Sequence, residues 1–260
     1  MILEPKSFSH SKQEKPDSSD VKEHFTARAE KYDRSSRWCT DEDMMRYVIE
    51  AAAPSSRHRM LDVACGTGLI TRAFRKHVAS IVGLDLTPAM AAMAEPYLDS
   101  LVLGSAERMP FADREFDIVV CRQGIQFMNA AKAVKEMVRV VRPGGRIVLV
   151  NLCAYGEGDQ KEYFRILHLR NPARKNFFVP SDITDLLRNA GCSQWHLYPY
   201  VIEEDVDVWS DNGAISDLNR EEIRNIYRNA SPEFQRHHGV KIAGNRIIDR
   251  MLFSITAGVK

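Results

Sequence analysis

The residues best placed to do chemistry lie in Leu61-Asp62-Val63-Ala64-Cys65-Gly66-Thr67-Gly68, where an apolar run ends in a carboxylate and enters a turn with two glycines. Lacking Cβ, Gly66 and Gly68 let the backbone take positive φ and lie against a bound group. Asp62, just ahead of that turn, repels a pyrophosphate and suits a cationic guest. The dinucleotide fingerprint asks for Gly or Ala where Thr71 stands, so the match to a nicotinamide or flavin site is incomplete. Seventeen residues after Gly68, the run Val82-Gly83-Leu84 ends in Asp85. A carboxylate at that edge of a sheet accepts ribose hydroxyls; its competing role is a cap for the helix starting at Pro88.

These residues need a sheet to present them. Leu69, Ile70, Ala73, Phe74 and Val78 recur at helical spacing after the turn, so strand, glycine turn and helix follow in order. Short apolar runs then alternate with helical stretches, the pattern of βαβ units around a parallel sheet. Strands are expected over residues 59–64, 80–85, 101–104, 116–121, 146–151, 194–202 and 250–257. Helices are expected from Pro88, over residues 130–141, and from Pro180 to a stop at Gly191. Arg142-Pro143-Gly144-Gly145 reads as a sharp break before the fifth strand.

At 260 residues and 44% hydrophobic content the chain can bury a full core as one domain over residues 21–260. Residues 1–20, rich in Ser, Lys, Asp and Pro, read as a disordered leader. A helical cover is expected over residues 21–53, with Thr40 and Asp41 as cap candidates. Insertions are expected at residues 154–179 and, in helical form, 203–245. With 36 Lys and Arg against 35 Asp and Glu, the chain lacks the cationic excess of a nucleic-acid binder. Five cysteines without a C-x-x-C pair indicate neither a disulfide framework nor a metal site, and fit a reducing cytoplasm. No signal peptide or membrane-spanning run is read.

The segments Gly83-Leu84-Asp85-Leu86-Thr87-Pro88-Ala89-Met90, Ala106-Glu107 with Pro110-Phe111, Phe116-Asp117-Ile118-Val119 and Arg139 to Gly145 follow the glycine turn in order. Together, over residues 25–151, they make the chain resemble the class I S-adenosylmethionine-dependent methyltransferases, in the branch that holds the ubiquinone and menaquinone biosynthesis C-methyltransferases. The resemblance implies a Rossmann-like seven-stranded α/β fold with an antiparallel last strand and helical lid insertions. It implies S-adenosylmethionine as cofactor and S-adenosylhomocysteine as product. Asp62 would face the methionine ammonium, the backbone of Ala64, Gly66 and Gly68 the sulfonium and ribose side, and Asp85 the ribose hydroxyls. Leu86 and Met90 would hold the adenine faces, while Ala106 with Ser105 or Glu107 would read its edge. Arg122 and Gln123 would line the methionine and the acceptor. Ala64 stands where relatives often have glycine, and Ser105 where many have aspartate. Ala29-Glu30-Lys31-Tyr32-Asp33 matches a family pattern that places Tyr32, with Trp38 near it, over the cofactor.

No base is assigned; Tyr32, Tyr155, His168 and the pair His237-His238 are the proton-acceptor candidates, and no metal is expected. The lid mixes aromatics with Arg165, His168, Arg170 and Arg174, which leans towards an aromatic or acidic small-molecule acceptor. The oligomeric state, monomer or homodimer, stays open. The rival readings are a non-catalytic cofactor sensor or partner subunit, a nicotinamide oxidoreductase, and a methyltransferase acting on RNA or protein.

Overall fold

The computed structural model describes residues 18–260. The expected leader lies outside them except for Ser18, Ser19 and Asp20, which open helix α1 (Ser18–Arg28). The apolar runs become strands β1 (Arg59–Val63), β2 (Ser80–Asp85), β3 (Ser100–Leu103), β4 (Phe116–Arg122), β5 (Val141–Cys153), β6 (Gln194–Asp205), β7 (Lys241–Ala243) and β8 (Arg246–Val259). They form one sheet in the order β3-β2-β1-β4-β5-β8-β6, with β7 paired to β8. The first five strands run parallel, and β8 lies antiparallel between β5 and β6. This is the expected Rossmann-like architecture. Strand order reverses between β1 and β4, and a crevice opens at such a reversal beyond the carboxyl ends of the strands.

Helices α2 (Glu42–Ala52), α3 (Leu69–Phe74), α4 (Pro88–Ala94), α5 (Ala130–Val140), α6 (Gln160–Arg170), α7 (Pro180–Ala190), α8 (Val206–Ser210), α9 (Asp217–Arg228) and α10 (Pro232–His238) complete the chain. Asp41, rather than Thr40, caps α2, accepting from the Met44 amide at 2.7 Å. Alternating residues of each strand serve opposite faces. Ile118 and Val120 join a core with Val48, Phe74, Ile166 and Trp209, while Val119 and Cys121 join one with Val134, Met137, Ile183 and Leu187.

Three expectations need correction. Helix α3 ends at Phe74 instead of reaching Val78. Arg142-Pro143-Gly144-Gly145 sits inside β5 as an irregularity: Phe116 pairs with Val141 but Ile118 with Arg146, and Gly144 takes φ 73°. The segment 203–245 is not wholly helical either, because β6 runs on to Asp205 and β7 forms a hairpin with β8 around Gly244 (φ 59°). A three-residue strand carries too little alternation to be read locally; its pairing with β8 creates it.

Next to that hairpin, His238 is fully buried and bridges Asp249 (2.7 Å, through Nδ1) and Asp159 (2.9 Å, through Nε2). Burial pulls the imidazole pKa down, but the two hydrogen-bonded carboxylates outweigh it and leave it raised from 6.5 to about 9. A raised folded-state value means stability that is whole below pH 6.5 and drains away as pH rises through about 9. The expected alkaline loss is about 3 kcal/mol. Urea unfolding at pH 6 and pH 10 should show it in the wild type and not in His238→Gln; equal loss in both would remove the bridge from the stability account.

Candidate functional site

The carboxyl ends of β1, β2 and β4 lie side by side, with Val63 paired to Leu84 on one side and to Cys121 on the other. The turn after β1 holds Ala64 at φ 56°, Gly66 at 55° and Gly68 at 83°, and Gln123 after β4 sits at 54°. For Ala64 and Gln123 the left-handed conformation costs about 1–2 kcal/mol each. That strain gathers where the two strands deliver their ends. Gly124 shows how tightly they meet: a Cβ there would lie 2.8 Å from the Ala64 Cβ and 2.6 Å from the Cys121 Sγ.

Two carboxylates stand behind this turn. Asp85 accepts from the amides of Gly66 and Thr87, both at 2.8 Å, and the Leu86 amide acts on it as well. Burial raises its pKa, and those amides pull against it. The Gly66 bond closes the turn onto β2. Asp62 is deeper, 1% exposed, and accepts from the Thr71 hydroxyl at 2.7 Å. Burial raises it to about 7, against the Thr71 bond and the positive charge of Arg122. Thr71, the residue at odds with a dinucleotide fingerprint, is thus the partner of Asp62.

A cavity of about 780 Å³, its open mouth included, lies over this edge. Of the residues singled out from the sequence, Tyr32, Ala64, Gly66, Asp85, Leu86, Met90, Ser105, Ala106, Glu107, Arg122 and Gln123 line it. Asp62 lines a smaller pocket behind the turn that shares Tyr32, Ala64, Gly66 and Arg122 with the first. Gly68 lines neither. A Cβ on it would sit 3.1 Å from the Ala94 Cα, so its bareness lets the start of α3 approach α4. Ser105 accepts from the Glu107 amide (3.2 Å), and the Glu107 carboxylate accepts from the Asn129 amide (2.8 Å). The buried Gln123 Nε2 has no partner.

Helix α1 closes the cavity from outside, its Phe25 edge-on to Phe127 at 4.9 Å. Both rings line the space, as do Val21, Met128 and Lys175, none of which the sequence reading placed in the site. The sequence offered little signal for this, since α1 is polar apart from Val21, Phe25 and Ala27. Tyr32 borders three adjoining cavities, and burial raises its phenol despite Arg28, Arg122 and Arg170 nearby. Trp38 packs edge-on behind it at 6.3 Å and carries Arg122 over its ring.

The other proton-acceptor candidates stand apart. Tyr155 donates to the Arg250 carbonyl at 2.7 Å and packs on His238, and His168 is on the exposed side of α6. The described residues include no cluster of three or more metal-ligating side chains. No helix among them is long and apolar enough to cross a membrane.

With this geometry in place, comparison with known proteins is informative. The family profile described as "Methyltransferase domain" matches residues 61–149. Demethylmenaquinone methyltransferase of Beutenbergia cavernae is 30% identical over 176 residues, 66% of this chain and 68% of that protein. The uncharacterized methyltransferase YcgJ of Bacillus subtilis is 32% identical over 158 residues, 57% of this chain and 62% of YcgJ. Mycobacterial relatives are matched over 43% of their length, so the chain spans less than two thirds of several curated relatives. The YcgJ crystal structure superposes with a TM-score of 0.78 at 23% identity, covering 85% of this chain and 99% of that one, which extends the likeness of fold well past the matched profile. The chain belongs to the S-adenosylmethionine-dependent methyltransferase family.

Asp62 gives a stability test independent of any ligand. A buried carboxyl raised from 3.8 to about 7 gives stability that is whole below pH 3.8 and lost as pH rises through 7. Asp62→Asn, which keeps an acceptor for Thr71, should therefore be more stable than the wild type at pH 8, by roughly 2–4 kcal/mol. Denaturant melts at pH 5 and pH 8 check it: the gap should widen with pH, and a gap that narrows contradicts the burial account.

Proposed function

We propose that the chain binds S-adenosylmethionine at the β1–β2–β4 edge and catalyses transfer of its methyl group to a small-molecule acceptor. The observation that carries this reading is the pair of buried carboxylates, Asp62 and Asp85, flanking a positive-φ turn on a large cavity. The residues suit the cofactor. Gly66 leaves the space beside the Met90 side chain without a Cβ, Gln123 Nε2 lacks a partner, and Asp85 turns its carboxylate to the cavity wall, where a hydroxyl can reach it. Asp62 offers negative charge to an ammonium, and Met90, Leu86 and Ala106 offer apolar walls to an aromatic base.

When bound, the cofactor supplies a methyl carbon on a positively charged sulfur: the acceptor's lone pair forms the new bond while the carbon–sulfur pair stays on sulfur. The protein's task is alignment in a dry site. Phe25, Phe127 and Met128 exclude water, and Gln123 and Arg122 hold the polar side. Tyr32 presents a ring between the pockets, where a neighbouring cation gains roughly 0.5–2 kcal/mol. The relatives include enzymes named for demethylmenaquinone, and the acceptor taken here is a small molecule of unassigned identity.

Calorimetry with S-adenosylhomocysteine tests the site. Asp85→Ala should weaken binding by about 1–3 kcal/mol, the worth of hydrogen bonds to a charged group, and Asp85→Asn, which keeps an acceptor for the Gly66 amide, separates that loss from a loosened turn. An unaltered dissociation constant would refute the ribose role. Gly66→Val should abolish binding, because a β-branched residue cannot hold the left-handed turn that brings the amide to Asp85; retained affinity would mean that the turn is not the contact.

A further inference from the structure

Beyond Tyr32 and Gln123 the first cavity continues into a second, much narrower one, with free room of its own for little more than a water-sized group, and it has the opposite charge. Arg28, Arg170 and Arg174 line it at 2%, 8% and 6% exposure. Buried arginines ordinarily find a carboxylate. Here Nε and Nη2 of Arg28 and Nε and Nη1 of Arg174 have no hydrogen-bond partner among the described residues. The Arg28 pair is the side-on edge of its guanidinium, the edge that grips a carboxylate through two parallel bonds. Arg170 spends its Nε on the Trp209 carbonyl (2.9 Å).

Aromatic faces give the three cations partial shelter. Arg170 lies 4.4 Å from the Trp209 ring centre, Arg28 5.1 Å from that of Tyr32, and Arg174 5.9 Å from that of Phe127. A ring offers no hydrogen-bond acceptor in the plane of the guanidinium, so the orphaned N–H groups stay unmet. Burial depresses the pKa values of all three guanidiniums, and for Arg170 the charges of Arg28 and Arg174 add to it. Glu204 accepts from the Arg37 amide through one carboxylate oxygen and feels the charge of Arg170, but it makes no hydrogen bond to any of the three guanidiniums.

This cavity shares Phe25, Tyr32, Gln123 and Phe127 with the cofactor cavity. We propose that Arg28, Arg170 and Arg174 form the anchor for the methyl acceptor, and that the acceptor is a small organic acid held by its carboxylate with its nucleophilic atom directed past Tyr32. The acceptor role rests on the methyl-transfer reading given above; the anion site itself stands on the orphaned guanidinium donors.

The test uses acetate and benzoate as probes, with inorganic phosphate as the competing oxyanion, on the whole chain with and without S-adenosylhomocysteine. Wild type should bind one of the two carboxylates at millimolar concentration or tighter, more weakly as salt rises. Arg174→Met and Arg28→Met should each lose at least tenfold in that affinity while binding S-adenosylhomocysteine within about twofold of wild type. Both variants should melt at or above the wild-type temperature without ligand, because removing an unpaired buried charge relieves the fold. A merely structural arginine would show the reverse, a lowered melting temperature with carboxylate binding intact. Failure of both carboxylates to bind wild type, or tighter binding of phosphate, overturns the organic-acid assignment. Matching losses of S-adenosylhomocysteine affinity would move the arginines to the cofactor's own carboxylate and overturn it too. Carboxylate binding without any S-adenosylhomocysteine binding would sink the methyl-transfer reading and leave the anion site standing.

Discussion

Charge buried with little compensation is the constraint around which this site is built. Asp62 and Asp85 stand at the ends of neighbouring parallel strands, nearly out of water, hydrogen-bonded to hydroxyl and amide donors and not to a cation, with Arg122 acting on Asp62 through its field. Arg28, Arg170 and Arg174 stand on the far side of Tyr32 in the same condition. Each desolvated ion costs several kcal/mol unless it is paired. The two groups do not neutralise each other, because Tyr32, Gln123 and the aromatic rings lie between the pockets. A fold of ordinary stability can carry this only if the rest of the sheet is well packed, and the central strands β1, β2 and β4 are buried along nearly their whole length, as strands covered on both faces require.

The sheet also explains why the acidic half is rigid and the basic half adaptable. Asp62 and Asp85 are fixed by strand register, Asp62 opposite Gly83 and Asp85 opposite Leu103, and a shift of one residue would turn both to the other face. The arginines come from α1, from the end of α6 and from the loop after it, segments that lie over the sheet edge and do not pair with it. Changes of length or sequence there leave the strand ends alone. Shared family membership therefore says a good deal about the strand-end half and little about the acceptor.

The same division governs what could be read from the sequence. Asp62, Gly66 and Asp85 were legible because turn, strand end and spacing sit within a few dozen residues and each follows from local backbone rules. Gly68 shared that pattern for a different reason: its bareness serves the approach of α3 to α4, and spacing alone does not separate a glycine that admits a ligand from one that admits a helix. The β7–β8 hairpin escaped because a three-residue strand exists only through its partner. Arg170 and Arg174 were visible as lid cations, but Arg28 lies more than a hundred residues away in a helix that reads as ordinary cover. Their meeting, and above all their lack of carboxylates, is a tertiary fact.

Tyr32 is where the two halves join, and its surroundings bear on proton traffic. The phenol is desolvated, which raises its pKa, while three guanidiniums nearby oppose that rise. An acceptor anion docked among the arginines would cancel part of their field and leave the phenol still harder to ionise. On the proposed reading Tyr32 then serves better as a wall and hydrogen-bond donor than as a base, and an acceptor nucleophile that reacts here must either arrive already anionic or carry its proton out with the product and lose it in solvent. That condition favours acceptors whose reacting atom is an amine, an enolate-like carbon or an acidic oxygen over an ordinary alcohol, on electrostatic grounds that come from the placement of charge in the fold.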